Sequence, residues 1–231
     1  MTRVLLIEDD RAVRRGVVLG LTRNGHETEA VGTGEDGLEA LAAFRPELVL
    51  LDLMLPGMSG LAVCGRIREV SRVPIVILSA RGDDIDVVVG LEAGADDYVV
   101  KPASAAVIEA RMRAVLRRIE PAPDADPARR LATFGDLEID RGAIIARKNG
   151  AELPLAPSEL KLLLFLSASP GQTFGRQQLL EDVWEHSFYG DARLVDACVM
   201  RLRAKIEEDP RHPVYVQTVR GFGYRFGPLP A

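Results

Sequence analysis

Residues 3–119 alternate strand and helix signals five times, opening on a short apolar run rich in branched side chains at 4–7, with a weaker strand signal at 27–31. No other property of the chain restricts its fold as much. Successive strand–helix units bury their apolar faces as a parallel sheet with helices packed on it. Strands are expected over 4–7, 27–31, 48–51, 74–78 and 98–100, and helices over 10–23, 34–44, 61–70, 84–93 and 104–118. The punctuation agrees: Asn24-Gly25 stops the first helix, Arg45-Pro46 the second, and Pro56-Gly57 with Ser59-Gly60 marks a loop before the third. Residues 48–51 are apolar without alternation, as in a central strand covered on both faces. Crossovers in such a sheet are right-handed. The expected fold of residues 1–119 is therefore a doubly wound (βα)5 α/β domain with a parallel sheet.

Residues 120–130 carry Pro121, Pro123 and Pro127 among small and charged residues, and read as an extended, semi-rigid linker. Beyond it the pattern changes. Short strands over 137–139, 143–148 and 152–155, with turns at Arg141-Gly142 and Asn149-Gly150, precede helices over 158–169, 176–186 and 193–208. Strands over 214–219 and 224–226 then flank Arg220-Gly221-Phe222-Gly223. Sheet, three helices and terminal hairpin in that order form a winged helix-turn-helix pattern, so residues 131–231 are expected to be an α+β domain of that kind.

Composition narrows the function classes. The 231 residues suffice for two domains, and the hydrophobic fraction of 47% supplies a core for each. The apolar runs are too short to span a bilayer, and Glu8 follows only four apolar residues, so neither a membrane span nor a signal peptide is expected. Cys64 and Cys198 lie far apart and outside any metal-ligand spacing, which suits reduced thiols in a cytoplasmic protein. The net charge is −5; residues 1–120 hold 15 Lys/Arg against 19 Asp/Glu, and residues 131–231 hold 12 against 13. Any nucleic-acid surface must therefore be a local patch.

Functional groups of an open parallel sheet gather at the carboxyl ends of its strands. Here those ends carry Glu8-Asp9-Asp10, Asp52, Ser79 and Lys101-Pro102. Three crowded carboxylates repel one another unless a cation intervenes. Oxygen ligands with few carboxylates suit Mg²⁺. Asp52 ends an apolar strand where a carboxylate needs a partner, and carboxylates are phosphoryl acceptors. Lys101 supplies positive charge and Ser79 a hydrogen-bond donor for a phosphoryl oxygen. Glu8 and Asp9 taken alone could be first-turn acids, although Asp10 is the better cap.

Glu8-Asp9, Asp52, Ser79, Lys101-Pro102 and Gly94-Ala95-Asp96-Asp97-Tyr98, in this order, resemble the flavodoxin-like receiver domain of bacterial two-component response regulators. With the second half, the chain resembles the OmpR/PhoB subfamily of transcription factors. The resemblance implies that Asp52 takes a phosphoryl group from a sensor histidine kinase. It implies Mg²⁺ held by Asp9, Asp52 and the main-chain carbonyl of Met54, with Glu8 acting through water, and Ser79 with Tyr98 as a switch pair. It also implies homodimerisation through the helix expected at 84–93, the strand at 98–100 and the helix at 104–118. Matching positions are Glu92, Asp96, Asp97, Arg111, Arg113 and Arg118, while Val87 and Val107 stand where the subfamily has an opposite-charge pair and are expected to make an apolar contact across the dimer. Ala103 departs from the aromatic residue usual after the Lys-Pro pair.

In the helix expected over 193–208, Val195, Val199, Leu202 and Ile206 follow core spacing. The opposite side is expected to present Arg193, Ala197, Met200, Arg201 and Ala204, with Arg203 and Lys205 on the flanks. This basic patch is the expected major-groove reader of double-stranded promoter DNA. Thr218 is expected at a phosphate and Arg220 in the minor groove. Cys198 and Met200 replace more polar or basic residues of the best-known subfamily members. The 187–191 segment corresponds to where relatives touch RNA polymerase. Two other functions compete. One is an enzyme, although Asp52-Leu53-Met54 lacks the second aspartate of aspartyl-phosphate phosphatases and no Gly-rich dinucleotide fingerprint follows the first strand; only self-phosphorylation and autodephosphorylation at Asp52 are expected. The other is a phosphorylation-independent DNA binder.

Overall fold

The computed structural model describes residues 1–79, 90, 93–117, 131–184 and 192–227. The chain divides into two compact units, Met1–Leu116 and Arg117–Ala231. The expected helix at 84–93, apart from residues 90 and 93, the linker at 120–130 and the 187–191 segment lie outside the described residues.

The first unit is the expected parallel sheet. Its strands are β1 (Arg3–Ile7), β2 (Glu27–Val31), β3 (Leu48–Asp52), β4 (Ile75–Ser79) and β5 (Asp97–Val100), in the order β2-β1-β3-β4-β5. The described helices are α1 (Arg11–Arg23), α2 (Gly34–Phe44), α3 (Gly60–Val70) and α4 (Ala105–Arg117). β3 and β4 are buried along their whole length, which is why their sequences lack alternation. One sheet face (Val4, Leu6, Leu48, Leu50, Val76, Leu78, Val99) packs on Val17 and Leu21 of α1 and Ile108, Met112 and Val115 of α4. Each fully buried aliphatic side chain contributes about 1.5–3 kcal/mol. On the other face, Ile7 packs so closely on α2 that a Cβ at Gly37 would lie 2.4 Å from its Cδ1.

Local chemistry sets the element ends. Asp10 caps α1, its Oδ1 accepting from the amides of Ala12 at 2.7 Å and Val13 at 3.0 Å. Thr33 and Ser59 cap α2 and α3 in the same way. Arg45, left-handed at φ 50°, ends α2 before Pro46. Ala103 is half-buried against the α1–α4 core and lines a cleft of about 580 Å³ with Val13, Gly16, Val17 and Ile108.

The second unit opens with an antiparallel sheet of β6 (Leu131–Phe134), β7 (Leu137–Asp140), β8 (Ile145–Lys148) and β9 (Ala151–Glu152). Three helices follow, α5 (Pro157–Ser167), α6 (Arg176–Trp184) and α7 (Arg193–Ile206). A second sheet joins β10 (Thr173–Phe174), β12 (Gly223–Phe226) and β11 (Val216–Val219) in that order. The sequence reading missed β6 and β10, which gain their hydrogen bonds from strands elsewhere in the chain. The Asn149-Gly150 turn forms as its residues require, both with positive φ. Trp184, Tyr224 and Phe226 are core residues.

Candidate functional site

The strand order brings the carboxyl ends of β1, β3, β4 and β5 to one rim. Asp52 ends β3 and is only 3% exposed; Glu8 follows β1 and is fully buried, whereas Asp9 beside it is exposed. Carboxylate oxygens of Glu8, Asp9 and Asp52 lie within 4.8 Å of one another. Lys101, just after β5, reaches into this cluster. Its Nζ lies 2.6 Å from Glu8 Oε2 and 2.7 Å from Asp52 Oδ2. The Lys101 amide donates to Ser79 O at 2.7 Å, so main chain and side chain of one residue tie the ends of β4, β1 and β3 together.

The remaining oxygens are also placed. Asp52 Oδ1 accepts from the Met54 amide at 3.0 Å, and Glu8 Oε1 from the Asp10 amide at 3.3 Å. Arg14 Nη1 donates to the carbonyls of Glu8 at 2.5 Å and Asp9 at 3.1 Å, which fixes the turn presenting both acids. Because Asp10 is occupied as the cap of α1, Asp9 is left to the pocket. Ser79 is buried on the same rim and Tyr98 is half-buried on β5.

One glycine has a role that the sequence reading assigned only to a loop. A Cβ at Gly60 would lie 2.0 Å from Asp52 O and 2.7 Å from Leu53 Cα, so the start of α3 packs directly on the main chain of the Asp52 turn. Only its loop context, Ser59-Gly60 after Pro56-Gly57, signals this in the sequence.

The electrostatics are those of a cation-deficient site. Burial raises the Glu8 pKa above the usual carboxylate range, the hydrogen bond from Lys101 opposes it, and the Asp52 charge reinforces it. Burial works against the Lys101 ammonium, but its hydrogen bonds to Asp52 and Glu8 outweigh that and raise its pKa. One ammonium thus serves two of the three clustered carboxylates, Glu8 and Asp52. The donor set is all oxygen and converges from two loops, which fits a hard divalent cation.

Several residues expected on a pairing face are placed otherwise. Asp96 is fully buried: its Oδ2 takes Arg68 Nη2 at 2.6 Å and the Ile75 amide at 3.0 Å. Asp97 is also buried, accepting from the Tyr98 amide at 2.8 Å. Both are internal to their own unit, and the expectation that they face a partner is corrected; the desolvation of a carboxylate is met here by nearby donors. Val107 and Arg113 are exposed, Arg113 with its Nε 3.2 Å from Glu109, and Arg111 is half-buried. Val87, Glu92 and Arg118 lie outside the described residues.

In the second unit, α7 buries Val195, Val199, Leu202 and Ile206 as its spacing predicts. Its outer face differs from expectation. Ala197 is only 5% exposed and does not belong to that face. The Arg201 side chain, 11% exposed, places Nε 3.0 Å from Glu159 Oε1, and Lys205 Nζ lies 2.6 Å from Glu159 Oε2. Glu159 itself is 1% exposed, so Arg201 is corrected from an outward-reaching group to the partner of a buried acid. Arg203 donates to Val216 O at 2.8 Å and Thr218 Oγ1 at 2.9 Å and lies over the Tyr224 ring at 5.6 Å, which fastens α7 to the β11–β12 hairpin. Asp196 Oδ1 accepts from Arg176 Nε at 2.6 Å and Tyr224 Oη at 2.7 Å. Met200, Thr218 and Arg220 are exposed, and Arg193 is half-buried at the helix start.

Comparison with known proteins agrees with this architecture. The family described as "Response regulator receiver domain" matches residues 4–113, and "Transcriptional regulatory protein, C terminal" matches residues 150–226. The chain is 56% identical over 228 residues to the transcriptional regulatory protein AfsQ1 of Streptomyces coelicolor, covering 99% of each. It is 46% identical over 226 residues to the DNA-binding response regulator MtrA of Mycobacterium tuberculosis, covering 98% of this chain and 97% of MtrA. Among solved structures, the response regulator DrrB of Thermotoga maritima, an OmpR/PhoB homologue, aligns over 98% of this chain and 99% of its own with a TM-score of 0.51 and 35% identity. Receiver sheet, acidic rim and winged helix, together with full-length relatives of this kind, show that the chain belongs to the OmpR/PhoB family of two-component, DNA-binding response regulators.

Proposed function

We propose that Asp52 is the phosphoacceptor through which a sensor histidine kinase controls promoter binding by the second unit. The observation that carries this reading is the setting of Asp52, a nearly buried carboxylate at a strand end with Lys101 at 2.7 Å and two further carboxylates alongside. A structural role alone calls for one partner per acid; here a single ammonium is shared.

A carboxylate oxygen of Asp52 forms the new bond to phosphorus as the bond from phosphorus to the donor imidazole nitrogen breaks. The electron pair stays on that nitrogen, which takes a proton from solvent. The Lys101 ammonium and the Ser79 hydroxyl hold the transferred oxygens, so the cost of assembling charge is met before transfer. Asp9, Asp52 and the Met54 carbonyl, with Glu8 through water, would hold Mg²⁺. When bound, that ion neutralises the charge of acceptor and phosphoryl group. Engagement of Ser79 by the phosphoryl group lets Tyr98 turn inward. That movement favours homodimerisation through a face including Val107, Arg111 and Arg113, together with Val87, Glu92 and Arg118. The dimer binds double-stranded DNA through α7, Thr218 and Arg220 and engages RNA polymerase. The protein works in the cytoplasm and has no enzymatic activity beyond self-phosphorylation and autodephosphorylation.

Acetyl phosphate with Mg²⁺ provides the test. The wild type gains the mass of one phosphoryl group and retards promoter DNA at lower protein concentration, whereas Asp52→Ala does neither. Equal stimulation of DNA binding in Asp52→Ala overturns the proposal.

A further inference from the structure

The winged-helix unit carries information about the sequence it reads, because its structure restricts which side chains of α7 can approach a base edge. That restriction bears on DNA sequence only if α7 is the helix that enters the major groove, and the inference rests on that reading. The usual readers of guanine are free arginine or lysine side chains, which donate to its O6 and N7. Beyond Arg193, which is half-buried at the helix start, the arginine and lysine side chains of α7 are engaged. Arg201 and Lys205 both hold Glu159, and turning either towards DNA would leave a buried carboxylate with one partner fewer. Arg203 uses Nε and Nη2 on Val216 O and Thr218 Oγ1 of β11. Asp196 has Oδ1 committed to Arg176 and Tyr224.

The outward stripe contains another chemistry. Met200 is 49% exposed, and Ala204, four residues on and hence on the same face, is exposed too. A thioether on a flexible stem beside a methyl group cannot donate a hydrogen bond to a purine edge. It can cover an apolar group, and the major groove offers one such group, the 5-methyl of thymine.

We infer that Met200, flanked by Ala204, is the base-reading residue of α7 and that it recognises thymine methyl groups. The positive charge around α7 then draws DNA in through phosphates, and an apolar contact chooses among sequences. The target half-site is defined by a thymine at the position under Met200.

The test uses the full-length protein, with acetyl phosphate and Mg²⁺, and a random-sequence duplex library. Bound duplexes are sequenced, and each enriched thymine is replaced singly by deoxyuridine, which deletes only the methyl group. One replacement per half-site is expected to weaken wild-type binding about three- to fivefold, the order expected for one buried methyl group. In Met200→Ala the same replacement changes binding less than in the wild type, and Met200→Arg enriches guanine at that position. Wild-type binding indifferent to deoxyuridine at every enriched thymine overturns the inference, as does undiminished sensitivity in Met200→Ala. If no duplex is enriched by the wild type, the DNA-binding reading of α7 itself fails, and the inference with it.

Discussion

The pocket at Asp52 and the base of α7 solve the same electrostatic problem with opposite signs. In the pocket one cation, Lys101, is divided among carboxylates: its Nζ bonds Glu8 and Asp52, with Asp9 close by. Under α7 one carboxylate, Glu159, is divided between the cations Arg201 and Lys205. The first arrangement is short of positive charge and is completed by adding some. The second has a surplus, which suits a polyanion outside. The two also differ in burial of the shared group. Lys101 is partly exposed, so the pocket can be re-paired, whereas Glu159 is sealed in the core and its pairs are structural.

The contrast is broken most severely at Glu159. Glu159→Gln keeps the shape but removes the charge holding Arg201, Lys205 and the Ala156 amide. It is expected to destabilise the second unit by about 3–5 kcal/mol, as breaking a buried pair does. Calorimetry reads this as a lowered transition for that unit with the first unit unchanged; a loss comparable to an exposed ion pair would contradict the structural role.

A smaller effect sharpens the pocket side. Burial lifts the Glu8 pKa above its ordinary 4.5, so the folded pocket holds this proton to higher pH than the unfolded chain does. The stability this contributes is fully present below 4.5 and is lost as pH rises through the raised value. A divalent cation favours the ionised form. The rise in Tm on adding Mg²⁺ should therefore grow with pH across that window, by on the order of 1 kcal/mol or a few degrees. In Glu8→Gln this pH dependence should disappear. A Mg²⁺ effect constant with pH in the wild type would exclude Glu8 from the ion's environment.

The smallest expected effect lies in the second unit, where Tyr215 Oη donates to Asp136 Oδ1. That hydrogen bond holds the Asp136 carboxyl below its usual value, so the stability it provides is present above 3.8 and lost as pH falls through the depressed value. Burial, aided by Asp136, pushes the Tyr215 phenol up to about 12, so its contribution is whole below 10 and fades as pH rises through about 12. Tyr215→Phe should cost about 1 kcal/mol and flatten the alkaline limb of the unfolding profile. Unchanged alkaline behaviour would show that the contact contributes nothing.

The sequence made some of this plain and concealed the rest for physical reasons. Local features were legible: the unbroken apolar run before Asp52, the Asp10 cap, the Asn149-Gly150 turn and the core stripe of α7. Features that depend on a distant partner were not. Asp96 and Asp97 read as part of a pairing face, yet Arg68, 28 residues away in sequence, and the Ile75 amide make burial of Asp96 tolerable. Arg201 sits on a face that periodicity turns outward, yet Glu159 lies 42 residues earlier in the chain. β6 and β10 are short edge strands whose hydrogen bonds come from elsewhere. At the pocket the residue set could be named from strand ends, but the sharing of Lys101 between Glu8 and Asp52 joins residues 93 and 49 positions apart.

Gly60 sets the ground on which Asp52 stands. The floor beneath Asp52 is main chain resting on main chain, with no space for even a methyl group. A surface of that kind has no rotamers to freeze and no side chain to drift. Its shape is fixed when the domain folds, and neighbouring substitutions that exchange one side chain for another leave it as it was. The part of the pocket that must not vary is thereby made of the atoms every amino acid has in common.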